Sequence, residues 1–180
     1  MEQKFDFIEV TLEPEKYDMV KEVYRLHKEQ ARKIFDLGCG IQSDEDIMKY
    51  IKSKIEYDVV LLAVDISNNK YAGVIILDEI DFYNETIPRA NCHIVVSKKY
   101  WGKGSRDIIK DCYKFLKENF KPINRLEAKV PSNNFGIIKL LKDVGFKIEG
   151  TLRNRLIFNN KNGVPTYYNE LVYGNINLGE

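Results

Sequence analysis

Residues 89–120 read RANCHIVVSKKYWGKGSRDIIKDCYKFLKENF, and this run decides the fold. Cys92-His93-Ile94-Val95-Val96 is apolar and β-branched, is bounded by turn-prone residues, and predicts a strand. Ile108, Cys112, Phe115 and Leu116 recur at helical spacing with lysines and acids elsewhere, and predict an amphipathic helix. Between them lies Tyr100-Trp101-Gly102-Lys103-Gly104-Ser105-Arg106. Glycine lets the main chain approach a ligand closely, and the first turn of a helix offers unpaired amides at the positive end of its dipole. A phosphate suits that junction. A loop that only turns the chain carries the same pattern, so the flanking sequence has to decide.

On the N-terminal side, Phe5 to Thr11 alternates as a half-buried edge strand, and Pro14 suits the first turn of a helix. That helix runs from about Glu15 to Phe35, with Val20, Tyr24, His27, Ala31 and Ile34 along its apolar face. His27 reads as a histidine packed against its neighbours. Gly38 and Gly40 stop the helix, and Ser43 is placed to cap a second one with Ile47, Ile51 and Ile55 on one side. Val59 to Ile66 and Tyr71 to Leu77 form a hairpin across Ser67-Asn68-Asn69-Lys70, and residues 78–89 read as a strand tail and then a loop.

On the C-terminal side, Lys121-Pro122 ends the motif helix and Arg125 to Val130 is a further strand. Asn134 caps a helix with Ile137, Leu140, Leu141 and Val144 inward and Gly145 as its stop. Phe146 to Phe158 and Tyr167 to Tyr173 form a last hairpin, and residues 174–180 read as a frayed tail. The sum is a mixed α/β domain over residues 1–180: a twisted, mostly antiparallel sheet of about 6–7 strands flanked by about four helices. A ligand-binding core falls at about 90–150 and a terminal hairpin at about 146–174.

A chain of 180 residues, 44% hydrophobic, suits one compact core, and a net charge of +1 gives no strong field for nucleic acid. No apolar run reaches bilayer-spanning length and the N-terminus lacks a signal peptide's apolar core, which predicts a cytoplasmic protein without membrane contact. Cys39, Cys92 and Cys112 form no CxxC pair, so neither a disulfide framework nor a metal site is expected. The long terminal strands could pair in a homodimer.

Three blocks in order, Trp101 to Arg106, Asn134 to Phe146 with its closing Gly145-Phe146, and Glu149-Gly150-Thr151-Leu152-Arg153, resemble the GCN5-related N-acetyltransferases, and the third looks like the RimJ/RimL branch. The resemblance implies acetyl-CoA as cosubstrate, with no metal, and direct transfer of the acetyl group to a primary amine. The acceptor would be a protein N-terminal α-amine, or a small-molecule amine such as a polyamine, an amino acid or an antibiotic. It also implies a pyrophosphate cradle of Gly102, Lys103, Gly104, Ser105 and Arg106, and main-chain bonds from Ile94, Val95 and Val96 to the pantetheine arm. Asn134 resembles the family's cofactor-contacting asparagine. The loop from Phe35 to Gln42 would line the acceptor site.

An α-amine or lysine must shed a proton before attack, so a base is needed. Glu127 stands where RimI-like members carry a glutamate base, and His93 is the alternate, projecting from the motif strand on the face it shares with Asn91. An amide of Val95 or Val96 would hold the oxyanion. Three departures stand against the resemblance. Trp101 replaces the usual Arg or Gln; Arg106 replaces the last small residue and could pair with phosphate or close the cradle; Leu141 replaces a tyrosine acid, leaving Tyr167 and Tyr168 as available hydroxyls. A non-catalytic acyl-CoA-binding module, or an interaction protein without ligand, are the rival readings those departures favour.

Overall fold

The computed structural model describes residues 2–34, 43–81, 89–120, 123, 125–159 and 165–175. Seven strands make one sheet in the order β1-β2-β3-β4-β5-β7-β6. They are β1 (Phe5–Glu9), β2 (Val59–Asp65), β3 (Lys70–Asp81), β4 (Arg89–Val96), β5 (Arg125–Pro131), β6 (Lys147–Asn159) and β7 (Pro165–Asn175). Every neighbouring pair is antiparallel except β4 and β5, which run parallel. The helices are α1 (Tyr17–Ile34), α2 (Asp44–Tyr57), α3 (Lys103–Asn119) and α4 (Phe135–Asp143).

Each helix forms where its sequence supplies both a stripe and a start. Pro14 opens a single 3-10 turn, Pro14–Lys16, that feeds α1, so the regular helix begins slightly later than its apolar spacing suggests. Ser43 caps α2 in a full capping box: its side chain accepts from the Asp46 amide while the Asp46 carboxylate accepts from the Ser43 amide. Asn134 caps α4 by accepting from the Ile137 amide at 3.4 Å. The α3 stripe buries Ile108, Cys112 and Leu116 as expected, and also Ile109 and Tyr113, whereas Phe115 is half-buried.

The sheet separates two cores. On one face α3 and α4 pack over Leu61, Ile75, Leu77, Leu126, Ala128 and Val130. On the other, Val20, Val23 and Leu26 of α1 and Ile47, Ile51 and Ile55 of α2 pack over Leu62, Val74, Ile76 and Val95. Burying one Leu or Ile side chain contributes about 1.5–3 kcal/mol, against about 0–1 kcal/mol for an exposed ion pair such as Lys21–Asp18. The two apolar stripes therefore hold the layers together.

Two elements extend past their sequence-based limits. β3 runs to Asp81, within the expected strand tail, whereas β4 starts at Arg89, ahead of the expected Cys92, because Asp78 pairs with Asn91 and Asp81 with Arg89 across a register shift. Gly174 and Asn175, expected in a frayed tail, close β7 by pairing with Glu127 and Leu126 of β5. Lys121-Pro122 and the loop from Phe35 to Gln42 with Cys39 lie outside the described residues; α3 itself ends at Asn119.

Candidate active site

The site begins with a strand pair that parts. β4 and β5 are paired only from Arg89↔Arg125 to Asn91↔Glu127. Past that point β4 stays with β3 as far as Gly73↔Val96, and β5 stays with β7 as far as Pro131↔Glu170. The central strands diverge, and a cleft of about 790 Å³ opens between them. Ile109, Tyr113 and Leu141 line it from the α3/α4 face, and His27 and Tyr50 from the α1/α2 face, so the cleft passes through the sheet. Its volume is that of a small-molecule site.

Main-chain groups dominate the α3/α4 mouth. Ser97 donates to the Ala72 carbonyl at 2.9 Å. Alternation along an antiparallel pair then directs the N–H and C=O of Val95 toward β3, and those of Ile94 and Val96 toward the gap. Of the strand residues read as arm contacts, Ile94 and Val96 thus face the cleft with their backbones and Val95 does not. The Trp101 indole donates to the Val96 carbonyl at 3.0 Å, so the residue in place of Arg or Gln ties the loop to the strand it follows.

Gly102 caps α3 at φ 79°, a conformation side chains disfavour, and a Cβ on Gly104 would meet the Tyr100 Cβ at 3.1 Å. The first helical bond is Arg106 N–H to the Gly102 carbonyl at 3.3 Å, which leaves the amides of Lys103, Gly104 and Ser105 ahead of it at the helix start. Ser105 is buried and its hydroxyl donates to the Tyr100 carbonyl at 3.1 Å, bracing the loop. The Arg106 guanidinium reaches Asp143 of α4 at 3.3 Å, across the mouth of the cleft, and both side chains stay solvated. Asn134, while capping α4, also lines the cleft.

Side chains make the α1/α2 mouth. His93 on β4 lines the cleft and is 45% exposed at its side chain; its Nε2 lies 3.1 Å from Asp78 Oδ2. Asp78, buried to 9%, also accepts from Lys54 Nζ at 2.7 Å, and Lys54 pairs with Asp58 at 2.9 Å. Burial alone would raise the Asp78 carboxyl, but the hydrogen bonds from His93 and Lys54 outweigh it and hold the group well below the usual carboxylate range. His27 is fully buried, its Nδ1 at 2.8 Å from the Val23 carbonyl; burial lowers its pKa, partly offset by that bond.

Glu127 projects from β5 but is absent from the cleft lining: Arg125 donates to it at 2.8 Å and Arg89 approaches to 3.6 Å. Arg125 also bonds Glu149 of β6. Cys92 lines the cleft on the α3/α4 face, where burial pushes its thiol up to about 12, so it stays protonated and a poor nucleophile. Leu141 is buried in the wall, and neither Tyr167 nor Tyr168 reaches the lining. Sequence reading passed over Asp78 and Lys54. Asp78 continues the alternation of Val74 and Ile76, a charge on an otherwise apolar face, and that was the available signal.

A parted central strand pair with a glycine-capped helix start at its mouth is an arrangement that suits an extended, anionic ligand. Residues 14–165 match the family model described as an acetyltransferase (GNAT) domain, and the chain belongs to this family of acetyl-CoA-dependent N-acetyltransferases. No curated protein matches the sequence. Among solved structures, the fold is similar to the Salmonella typhimurium acetyl transferase that modifies the N-terminal serine of ribosomal protein L7/L12. That likeness has a TM-score of 0.75 at 15% identity, over 97% of this chain and 96% of that one. It is similar to spermidine N-acetyltransferase from Vibrio cholerae in complex with CoA and spermine, with a TM-score of 0.72 at 16% identity, over 97% and 96%. The microcin C7 self-immunity acetyltransferase MccE, in complex with acetyl-CoA and AMP, matches with a TM-score of 0.69 at 20% identity, over 97% and 93%. No helix among the described residues is long and apolar enough to cross a membrane, and no group of three or more His, Cys, Asp or Glu among them could hold a metal ion.

The site fits acetyl-CoA on two observations: the backbone of Ile94 facing the gap and the helix-start amides behind Gly102. The Arg106 side chain itself lines the cleft and reaches across its mouth to Asp143.

Proposed function

We propose that the protein acetylates a primary amine by direct attack on acetyl-CoA, with His93 as the base, and that its acceptor is a protein N-terminal α-amine. The observation that carries the base is the position of His93: it lines the cleft on the face opposite α3, solvent-accessible, while the Glu127 carboxylate is held by two arginines away from the lining. Acetyl-CoA supplies the activated acetyl thioester. The amides of Lys103, Gly104 and Ser105 would bind the pyrophosphate with Lys103 adding charge, and Asn134 would contact the arm.

Ile94 would hydrogen-bond the arm through its backbone, as a neighbouring strand does. A main-chain N–H facing the gap would stabilise negative charge on the acetyl oxygen, an effect commonly worth a few kcal/mol in the transition state. His93 would take the proton that the ammonium must lose, directly or through water. The acceptor reading is supported by the likeness to the L7/L12 serine enzyme, at a TM-score of 0.75, and a small-molecule amine is its competitor through the likeness to the spermidine enzyme, at 0.72.

The test is free-thiol release from acetyl-CoA with peptides starting in serine or alanine, run beside spermidine and free amino acids. Peptide turnover lost when the peptide N-terminus is blocked supports the reading. Turnover of spermidine with no turnover of any peptide overturns the acceptor assignment and keeps the chemistry.

A further inference from the structure

The proposed base sits at the end of a charged chain that runs into the protein. From the cleft inward the order is His93, Asp78, Lys54, Asp58, with contacts of 3.1, 2.7 and 2.9 Å. β4, β3 and α2 each contribute to it. Its core members are largely buried, with side-chain exposures of 12% for Asp78, 23% for Lys54 and 15% for Asp58.

An ionised carboxylate only accepts hydrogen bonds, so the His93 nitrogen facing Asp78 must carry the hydrogen. That nitrogen is Nε2. The neutral ring then has its lone pair on Nδ1, which is the atom able to receive a proton. We propose that Asp78 is a positioning residue: it holds His93 as the Nε2–H tautomer, with Nδ1 left as the accepting nitrogen, and Lys54, itself paired with Asp58, holds the Asp78 carboxylate in place. This rests on the reading of His93 as the base.

With His93 neutral, Asp78, Lys54 and Asp58 sum to one negative charge. The other groups around the ring are largely matched among themselves. Glu79 of β3 bonds Asn91 and Lys129, and Glu127 of β5 pairs with Arg125 and Arg89. His27 of α1 and Tyr50 of α2 share the cleft wall with His93, and a charge on His93 disfavours one on His27. Asp78 is therefore the one carboxylate in hydrogen-bond contact with the ring among the described residues.

The chain has two histidines, so a long-range proton–nitrogen NMR spectrum of histidine-labelled protein contains two rings, assigned with His27→Gln. His27 faces a carbonyl through Nδ1 and should appear as the Nδ1–H tautomer, and His93 should appear as the opposite one. Asp78→Ala should turn the His93 signal into a tautomer mixture.

In thiol-release assays with a serine-initiated peptide or spermidine, whichever the wild type acetylates, Asp78→Ala should lower kcat by roughly ten- to hundredfold, a share of a base's usual contribution. KM should stay nearly constant. A wild-type His93 in the Nδ1–H form, or a tautomer and a kcat indifferent to Asp78→Ala, would overturn the proposal. If instead His93→Ala retained full turnover while the tautomer followed Asp78, the reading of His93 as base would fail and the positioning contact alone would stand.

Discussion

The two mouths of the cleft are built from different material. On the α3/α4 side the contacts offered to a ligand are backbone groups: helix-start amides behind Gly102 and the edge of β4 at Ile94. On the α1/α2 side they are side chains, with His93 leading to Asp78 and Lys54 and with His27 and Tyr50 in the wall. A site made of backbone depends on chain geometry and tolerates replacement of most of its side chains. A site made of side chains can be altered by one substitution. This is how Trp101, Arg106 and Leu141 can depart from the family pattern while the glycine loop and helix start keep their geometry.

The sharpest way to break this contrast is His93→Ala. Turnover should fall by about 10²–10⁴-fold, the usual contribution of a general base, while calorimetry finds acetyl-CoA affinity unchanged. A parallel Glu127→Gln should keep most of the turnover. On the backbone side the exposed element is glycine: Gly102→Val, a branched residue at φ 79°, should weaken acetyl-CoA binding about tenfold, since forcing that conformation costs about 1–2 kcal/mol.

Asp143→Asn should act in the opposite direction. A solvated pair contributes at most about 1 kcal/mol, so releasing Arg106 toward the phosphates should tighten acetyl-CoA binding by up to about fivefold, and less at high salt. Ser105→Ala should leave affinity almost untouched. Its lost bond to the Tyr100 carbonyl should appear as about 0.5–1.5 kcal/mol of stability in a denaturant titration.

How much of this was legible differs between the mouths for the same reason. The strand, glycine loop and helix are contiguous, so the spacing of Val96, Gly102 and Ile108 carried this part of the fold, and the family resemblance of the same stretch carried the cofactor expectation. Ser43 and Asn134 were equally readable, because a cap acts within one helical turn. The pair His93–Asp78 depends on the β3–β4 register, in which Ile76 meets His93 and Asp78 meets Asn91, and no local pattern states a register. The arginine clamp on Glu127 likewise needs Arg89 opposite Arg125 in a parallel pair. Strand ends were missed at Arg89 and Gly174, where pairing with a distant strand overrides local preference.

The mildest effect concerns pH. Burial lowers the His27 pKa in the folded state, so its stabilising contribution is complete above the unfolded value of about 6.5 and is lost as pH falls below it, because the unfolded chain then binds the extra proton. The melting temperature should decline from pH 7 to pH 5 more steeply in the wild type than in His27→Gln. The Asp78 carboxyl, held below its usual range, has the same sign but acts below about pH 4, where the unfolded chain takes up its proton.

The most direct test of a backbone-built cofactor mouth is amide hydrogen exchange at Ile94 and Val95, followed by NMR with and without acetyl-CoA. Val95, paired toward β3, should be protected in both states, and the Ile94 amide should exchange quickly alone and slow on binding. Unchanged exchange at Ile94 under saturating acetyl-CoA would contradict the backbone-built mouth.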